Sequence, residues 1–204
     1  DGRVTARSEV IPRQHAQRLL PMIEELLGER QLRLQVVDAL VFGRGPGAFT
    51  GVRIATGMVQ GLAFAADKPV IAVSNLAALA QRAWREHGAE TVAAAIDARM
   101  DEVYWGLYGL QDGVMQLLDD ERVCAPEAVS LPAGVGSVAG AGTGWQYAER
   151  LAVTATQSWP QMLPDASDLI TLALPRWQAG EVVDAADAQP VYLRDKVATP
   201  KGQA

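Results

Sequence analysis

A glycine-rich segment between two apolar stretches is the part of this sequence whose residue types best suit ligand binding. Residues 43–51 read Gly-Arg-Gly-Pro-Gly-Ala-Phe-Thr-Gly, and they follow the apolar run 36–42, which predicts a buried strand. Thr50 is the predicted N-cap of the next helix, with Phe49 and Ile54 at the two positions of a hydrophobic staple. A strand, a turn and a helix start direct several backbone N–H groups to one point, which favours an anion. The candidate residues are Gly43, Arg44, Gly45, Pro46, Gly47, Thr50, Gly51 and Arg53.

The same glycine loop also has a purely structural interpretation, because glycine lets another backbone approach closely. No lysine lies near it, and no Gly-x-Gly-x-x-Gly register with a suitably spaced acidic residue is present, so neither common phosphate-binding motif fits. Arg44 and Arg53 flank the loop, where they could hold a phosphate or carboxylate or pair with acidic neighbours. We expect the loop to be structural first, with anion binding as the alternative.

Residues suited to catalysis do not form a recognisable set. His15 and His87 are the only histidines, and their spacing excludes a His-x-x-x-His metal site. No Gly-x-Ser-x-Gly nucleophile elbow occurs. The acidic segment 97–102 could bind a cation, but we expect a solvated turn in which Arg99 is the internal partner. We therefore predict no metal, no tightly bound cofactor and no catalytic residue in this chain.

Composition limits the partners that this chain can have. The net charge is −6, and the 15 arginines and three lysines are scattered, so no basic surface follows a nucleic-acid backbone. The single cysteine, Cys124, excludes an internal disulfide and favours a reducing compartment. No apolar run reaches the roughly 18 residues of a membrane span, and no signal peptide is visible. These features together predict a cytoplasmic protein that does not enter a membrane.

The elements around these residues predict an α/β fold with a mixed sheet. Helical patterns cover 51–66, 75–87 and 167–179, and strands are predicted at 69–73, 91–95 and 102–108, with a hairpin turn at 111–113. Gly57 and Gly61 lie four residues apart on the first of these helices, which lets another helix pack closely. A weaker strand is predicted at 3–10; since no strand precedes it, we expect earlier strands outside this sequence.

The helix predicted from Gln14 to Gly28 carries two apolar seams. One consists of Ala16, Leu20, Ile23 and Leu27; the other consists of His15, Leu19, Met22 and Leu26. One seam is enough to dock a helix on its own core, so two seams predict a second surface to bury. The alternative is a helix packed on both sides within the monomer.

Taken together, these segments resemble the TsaB family, also called YeaZ. The most specific match is Gly-Pro-Gly-Ala-Phe-Thr-Gly-Val-Arg at 45–53, and the others are 15–23, 61–63, 69–74, 95–99, 102–104 and 190–194. The resemblance implies an actin/hexokinase-like fold of two ribonuclease-H-like lobes, which we assign to residues 1–95 and 96–204. It also implies that the first strands of the N-terminal lobe, which carry a phosphate-type turn in the family, are missing from this chain.

The resemblance implies a non-catalytic role in making threonylcarbamoyladenosine beside the anticodon of bacterial tRNAs. In that pathway the related TsaD subunit carries the metal and transfers the threonylcarbamoyl group, and a TsaE ATPase joins the complex. We therefore expect ATP and metal on partner subunits, tRNA contact only through the complex, and a homodimer when the chain is alone. The predicted interface residues are His15, Leu19, Met22, Ile23, Leu26, Met58, Val59 and Leu62. The alternative is a small-molecule kinase or peptidase of the same fold, for which Asp97 is the only candidate general base.

Overall fold

The computed structural model describes residues 2–11 and 14–194. Within them, helices alternate with strands that form two separate sheets. Four short 3-10 turns, at Leu34–Val36, Pro126–Ala128, Thr143–Tyr147 and Ala185–Asp187, join the longer elements. Those elements, in chain order, are α1 (His15–Glu29), β1 (Leu40–Gly43), α2 (Phe49–Ala66), β2 (Val70–Val73), α3 (Asn75–His87), β3 (Thr91–Arg99), β4 (Glu102–Gln111), β5 (Val114–Cys124), β6 (Ala139–Ala141), β7 (Ser158–Trp159) and α4 (Ala166–Gln178).

The smaller sheet consists of β1 and β2, which are parallel and joined by α2. One face of α2 packs onto it, because the apolar or small side chains on that face recur at helical spacing. Thr56 is buried on this face, and its hydroxyl donates to the Val52 carbonyl oxygen at 2.9 Å, so no buried donor is left unpaired. The core beneath α2 contains Phe42, Val59, Ala63, Val70 and Ala188.

The larger sheet has the strand order β5-β4-β3-β6-β7, with an antiparallel β3–β4–β5 meander and parallel pairs from β3 to β7. Helix α3 packs against it, and its N-cap Ser74 accepts hydrogen bonds from two backbone N–H groups of the first turn. The apolar residues that recur at helical spacing along one face of this helix are all buried: Leu76, Leu79, Ala80 and Ala83.

A buried ion pair joins α3 to α4. Asp168 is fully buried, and its carboxylate accepts hydrogen bonds from Arg85 Nε at 2.8 Å and Arg85 Nη2 at 2.9 Å. Because both carboxylate oxygens are engaged, the charge is compensated in the two-bond geometry that arginine and carboxylate favour. The predicted helix at 167–179 is confirmed to within one residue at each end.

Two predicted strands differ from the structure. The strand expected at 3–10 is wrong: residues 2–11 join no sheet and lie beside α1, where Arg7 pairs with Glu25 at 3.3 Å. A strand forms only where another strand offers hydrogen-bond partners, and the sheet of β1 and β2 gains no strand from residues 2–11. The strand expected at 36–42 begins only at Leu40, because its partner β2 is just four residues long.

The predicted lobe boundary between residues 95 and 96 falls inside β3, which runs from Thr91 to Arg99. The five-stranded sheet therefore takes residues from both sides of that boundary. The division into lobes stays a prediction.

Candidate functional site

The glycine loop, residues 43–47, connects three parts of the chain through its backbone. The Arg44 N–H donates to the Val73 carbonyl at 2.8 Å, and the Arg44 carbonyl accepts from the Val191 N–H at 2.9 Å. The Gly45 carbonyl accepts from the Asn75 N–H at 2.9 Å, and Asn75 Nδ2 donates to the Pro46 carbonyl at 3.1 Å. The loop thus links the end of β1 to β2, to the start of α3 and to the extended C-terminal segment.

Two glycines in this loop sit where a side chain does not fit. A Cβ at Gly43 would lie 2.1 Å from Asn75 Oδ1, and one at Gly45 would lie 3.0 Å from the Val191 carbonyl oxygen. Gly45 also has a φ of +103°, a conformation that residues with a Cβ rarely adopt. These contacts favour the structural interpretation of the loop.

Helix α2 begins earlier than the sequence predicted, so Thr50 is not its N-cap. The N-cap is Ala48, because the first helical hydrogen bond runs from the Val52 N–H to the Ala48 carbonyl. Alanine has no side-chain acceptor, so this helix start has no side-chain cap. The predicted hydrophobic staple is therefore wrong as well. Phe49 lies in the first turn, where the Arg53 guanidinium stacks 3.3 Å from its ring centroid.

A cleft of about 1140 Å³ opens beside this helix start, between α2, the β3–β4 turn and residues 191–194. Asp97, the candidate base, lines the cleft, but its oxygens are engaged: Oδ2 pairs with Arg99 Nη1 at 2.9 Å, and Oδ1 accepts from the Arg99 N–H at 2.9 Å. The expected pairing with Arg99 is confirmed. The Tyr147 hydroxyl also approaches Asp97 at 3.4 Å, and the pKa of Tyr147 is raised, first by burial and then by the Asp97 charge.

The histidines and the cysteine lie apart from one another. His15 is exposed at the first position of α1, and His87 stacks on Trp159 with ring centroids 4.1 Å apart. Burial raises the pKa of the Cys124 thiol, which keeps it in the less reactive protonated form. Within residues 2–11 and 14–194, no group of three or more His, Cys, Asp or Glu side chains could hold a metal ion.

Helix α1 contacts α2, yet none of its residues is buried. Of the predicted interface residues on α1, His15 is exposed, and the other four are half-buried: Leu19, Met22, Ile23 and Leu26. Leu20, on the other seam, is 40% exposed. A 15-residue amphipathic helix without a buried side chain leaves apolar surface on both seams.

Helix α2 carries two of its three predicted interface residues at half-buried positions, Met58 and Leu62. The third, Val59, does not belong to a surface: it is only 6% exposed and packs in the core with Phe42 and Val70. The helical phase explains the correction, since Val59 lies on the inward stripe that also contains Thr56 and Ala63.

The fully exposed face of α2 contains Gly57 and Gly61, and a Cβ on either would meet open space. Phe64, three residues after Gly61, is 84% exposed on the same face. Sequence reasoning missed Phe64, although its spacing from the two glycines places it in line with them. Together with α1, these residues and the half-buried Met58 and Leu62 form what we call the α1–α2 surface.

Across the part of the chain that the structure describes, no helix combines the length and apolar character needed to cross a membrane.

Comparison with known proteins identifies the family. A family model described as TsaD, tRNA N6-adenosine threonylcarbamoyltransferase, matches residues 7–154. The tRNA threonylcarbamoyladenosine biosynthesis protein TsaB of Escherichia coli K12 is 42% identical over 98% of this chain and 90% of its own length. TsaB of Haemophilus influenzae is 40% identical over 98% of this chain and 88% of its own length.

A solved structure of YeaZ from Pseudomonas aeruginosa superposes with a TM-score of 0.92 and 59% identity, covering 95% of this chain and 91% of that one. A second solved structure, described as similar to peptidase YeaZ, has the same TM-score. The fold is therefore the actin/hexokinase-like α/β fold of the TsaD and YeaZ proteins, as predicted. The chain belongs to the TsaD family and, within it, to the TsaB (YeaZ) proteins of tRNA threonylcarbamoyladenosine biosynthesis.

Proposed function

We propose that this chain is a non-catalytic subunit that binds and activates a TsaD-like transferase during tRNA threonylcarbamoyladenosine synthesis. The observation that carries the proposal is the α1–α2 surface: α1 has no buried residue, and the Gly57–Gly61–Phe64 face of α2 is uncovered. Exposed apolar faces of this kind are typical of protein interaction sites. Glycines spaced four apart allow a partner helix to approach the α2 backbone closely.

The arrangement of the polar residues supports a non-catalytic role over the kinase or peptidase alternative. A general base works best with a raised pKa and unshared lone pairs, whereas each carboxylate oxygen of Asp97 accepts a hydrogen bond from Arg99, which makes the carboxylate a weaker base. A histidine-based nucleophile needs a histidine beside a hydroxyl or thiol, whereas His87 is stacked against Trp159. Activation then consists of stabilising the active conformation of the partner, with a coupling of about 1–3 kcal/mol.

The other components follow from the chemistry that this chain lacks. ATP and the catalytic metal belong to partner subunits, the transferase and a TsaE-like ATPase. With a net charge of −6 and scattered arginines, the chain contacts tRNA only through the complex, and it acts in the cytoplasm. Without its partner, the same surface pairs with a second copy, because a self-complementary apolar patch favours a twofold dimer.

Reconstitution with each subunit omitted in turn tests this proposal. We expect modified tRNA only when the transferase is present, and a rate about 5- to 150-fold lower when this chain is left out, as the coupling of about 1–3 kcal/mol implies. Phe64→Glu should reproduce the loss, because it puts a charge into the contact, whereas Leu174→Glu, which changes an exposed leucine of α4, should not. Product made by this chain without the transferase, or at full rate without this chain, would contradict the proposal.

A further inference from the structure

A second cavity of about 510 Å³ lies on another side of the glycine loop from the α1–α2 surface. Its walls come from the end of β2, from β5 and from the C-terminal half of α4. The volume lies within the range of small-molecule sites in proteins. Arg44, which belongs to the glycine loop, also lines this cavity.

The Arg44 side chain has no partner among the described residues. Its Nε is buried without a hydrogen bond, and no carboxylate in residues 2–11 or 14–194 lies within ion-pair distance of its guanidinium. The Arg44 backbone is fixed by hydrogen bonds to Val73 and Val191, which holds the base of this side chain beside the cavity. A buried charged donor without a partner is costly, and an anion bound beside Arg44 Nε would remove that cost.

A carboxylate in the same cavity is positioned by two hydroxyl groups. Glu121 Oε1 accepts hydrogen bonds from Ser74 Oγ and from the Tyr108 hydroxyl, while its Oε2 has no partner among the described residues. Burial, followed by the Glu121 charge, raises the pKa of Tyr108 well above its usual value, so the phenol stays protonated and donates. Gly106 leaves room for this ring, since a Cβ there would lie 3.0 Å from Tyr108 Cε2.

The remaining wall combines an internal ion pair with aliphatic side chains. Arg176 and Glu181 line the cavity as well, but they pair with each other at 3.2 Å, and Arg176 also donates to the Ala72 carbonyl. The polar atoms left for a ligand are therefore Arg44 Nε, which is buried without a partner, and Glu121 Oε2, which accepts no hydrogen bond from the described residues. The apolar lining comes from Ala77, Val114, Met115, Leu117, Leu172 and Pro175.

We propose that this cavity binds a small aliphatic carboxylic acid that carries an amino or hydroxyl group. The ligand carboxylate binds Arg44, its amino or hydroxyl donor binds the free oxygen of Glu121, and its short carbon chain lies against the aliphatic wall. Arg44 then acts as a ligand-binding residue that the glycine loop holds in place. The inference does not depend on the role of the chain in tRNA modification.

Titration of the ¹⁵N-labelled wild-type chain with L-2-aminobutyrate tests the site directly. We expect saturable shifts of the Arg44 Nε–Hε resonance, weaker binding of butyrate, which lacks the donor, and no binding of butylamine, which lacks the acid. An Arg44 resonance unchanged by L-2-aminobutyrate would overturn the proposal, as would tighter binding of inorganic phosphate. This measurement requires no variant.

Two variants test separately the carboxylate-binding residue Arg44 and the donor-binding residue Glu121. Arg44→Gln should weaken L-2-aminobutyrate and butyrate binding by about tenfold or more, since each loses a charged hydrogen bond. Glu121→Gln should weaken only L-2-aminobutyrate. Arg33→Gln, an exposed arginine outside the cavity, is the matched control and should change neither. Unchanged binding in Arg44→Gln that melts like the wild type would overturn the assignment.

Discussion

Gly43 and Gly45 lie where close packing of the glycine loop leaves no room for a side chain. The sequence predicted the loop and both of its interpretations, but not that Asn75 fills the space next to Gly43. That contact joins residues 32 positions apart, and no local pattern encodes which side chain a glycine makes room for. The same limit explains Thr50: N-cap preference is local, whereas the hydrogen bonds that start α2 at Phe49 depend on how the loop is anchored.

Gly45 is the loop residue at which a Cβ should cost most. We expect Gly45→Ala to lower the free energy of unfolding by about 1–3 kcal/mol, because of its positive φ and the nearby Val191 carbonyl. Gly136→Ala is the matched control: it adds the same methyl group in open space at an exposed loop position outside the α1–α2 surface and should stabilise by up to roughly 1 kcal/mol. Urea unfolding measures both, and equal effects of the two substitutions would contradict the structural role of the loop.

Tyr108 should make stability depend on alkaline pH. Its pKa is raised in the folded chain, so above the unfolded value of about 10 the unfolded state releases the phenolic proton first. The stabilisation is therefore fully present below that pH and is lost as the pH rises through the folded pKa. We expect unfolding free energies to fall more between pH 9 and pH 11 in the wild type than in Tyr108→Phe, as measured by urea titration. Equal slopes would exclude this linkage.

At the scale of elements, predictions succeeded where the apolar residues of a segment recur at helical spacing. They failed where a segment needs a neighbouring element to form or to orient it. Helix α3 could be predicted because Leu76 and Leu79 fall on one face and Ser74 caps its start. The strand predicted at 3–10 did not form, because a strand needs a neighbouring strand as its hydrogen-bond partner and residues 2–11 join no sheet. The α1–α2 surface was predicted in part. Its apolar seams on α1 are visible in the sequence, whereas the inward position of Val59 depends on which face of α2 packs against the sheet.

At the scale of the whole molecule, the fold and family followed from the sequence, but the second cavity did not. Arg44 and Glu121 are 77 positions apart, and they line one cavity only because β2, β5 and α4 meet there. Neither residue belongs to a motif with its partner, so no spacing rule connects them. The family resemblance could not connect Arg44 with Glu121 either, since it implies a role in a complex and no small-molecule site between these two residues.

Self-association is the property of the whole molecule that tests the α1–α2 surface. We expect the isolated chain to be a dimer and Leu20→Glu combined with Phe64→Glu to yield a monomer with an unchanged melting temperature. Both side chains are exposed, at 40% and 84%, so the glutamates cost the monomer little but place charges inside the dimer contact.

Light scattering measures the mass, and Leu174→Glu on α4, where the leucine is 53% exposed, is the control that should stay dimeric. A double variant that remains a dimer would exclude the α1–α2 surface as the contact.

The absence of any buried side chain in α1 also has a consequence for the lifetime of the chain. A helix that contributes nothing to the core opens at little free-energy cost, so its amide hydrogens exchange quickly and its backbone is open to proteases. On the proposed function, covering α1 protects it, because a partner that binds only the folded helix lowers the population of the open form. The cellular amount of this subunit would then follow the amount of its partner, with the surplus removed by degradation.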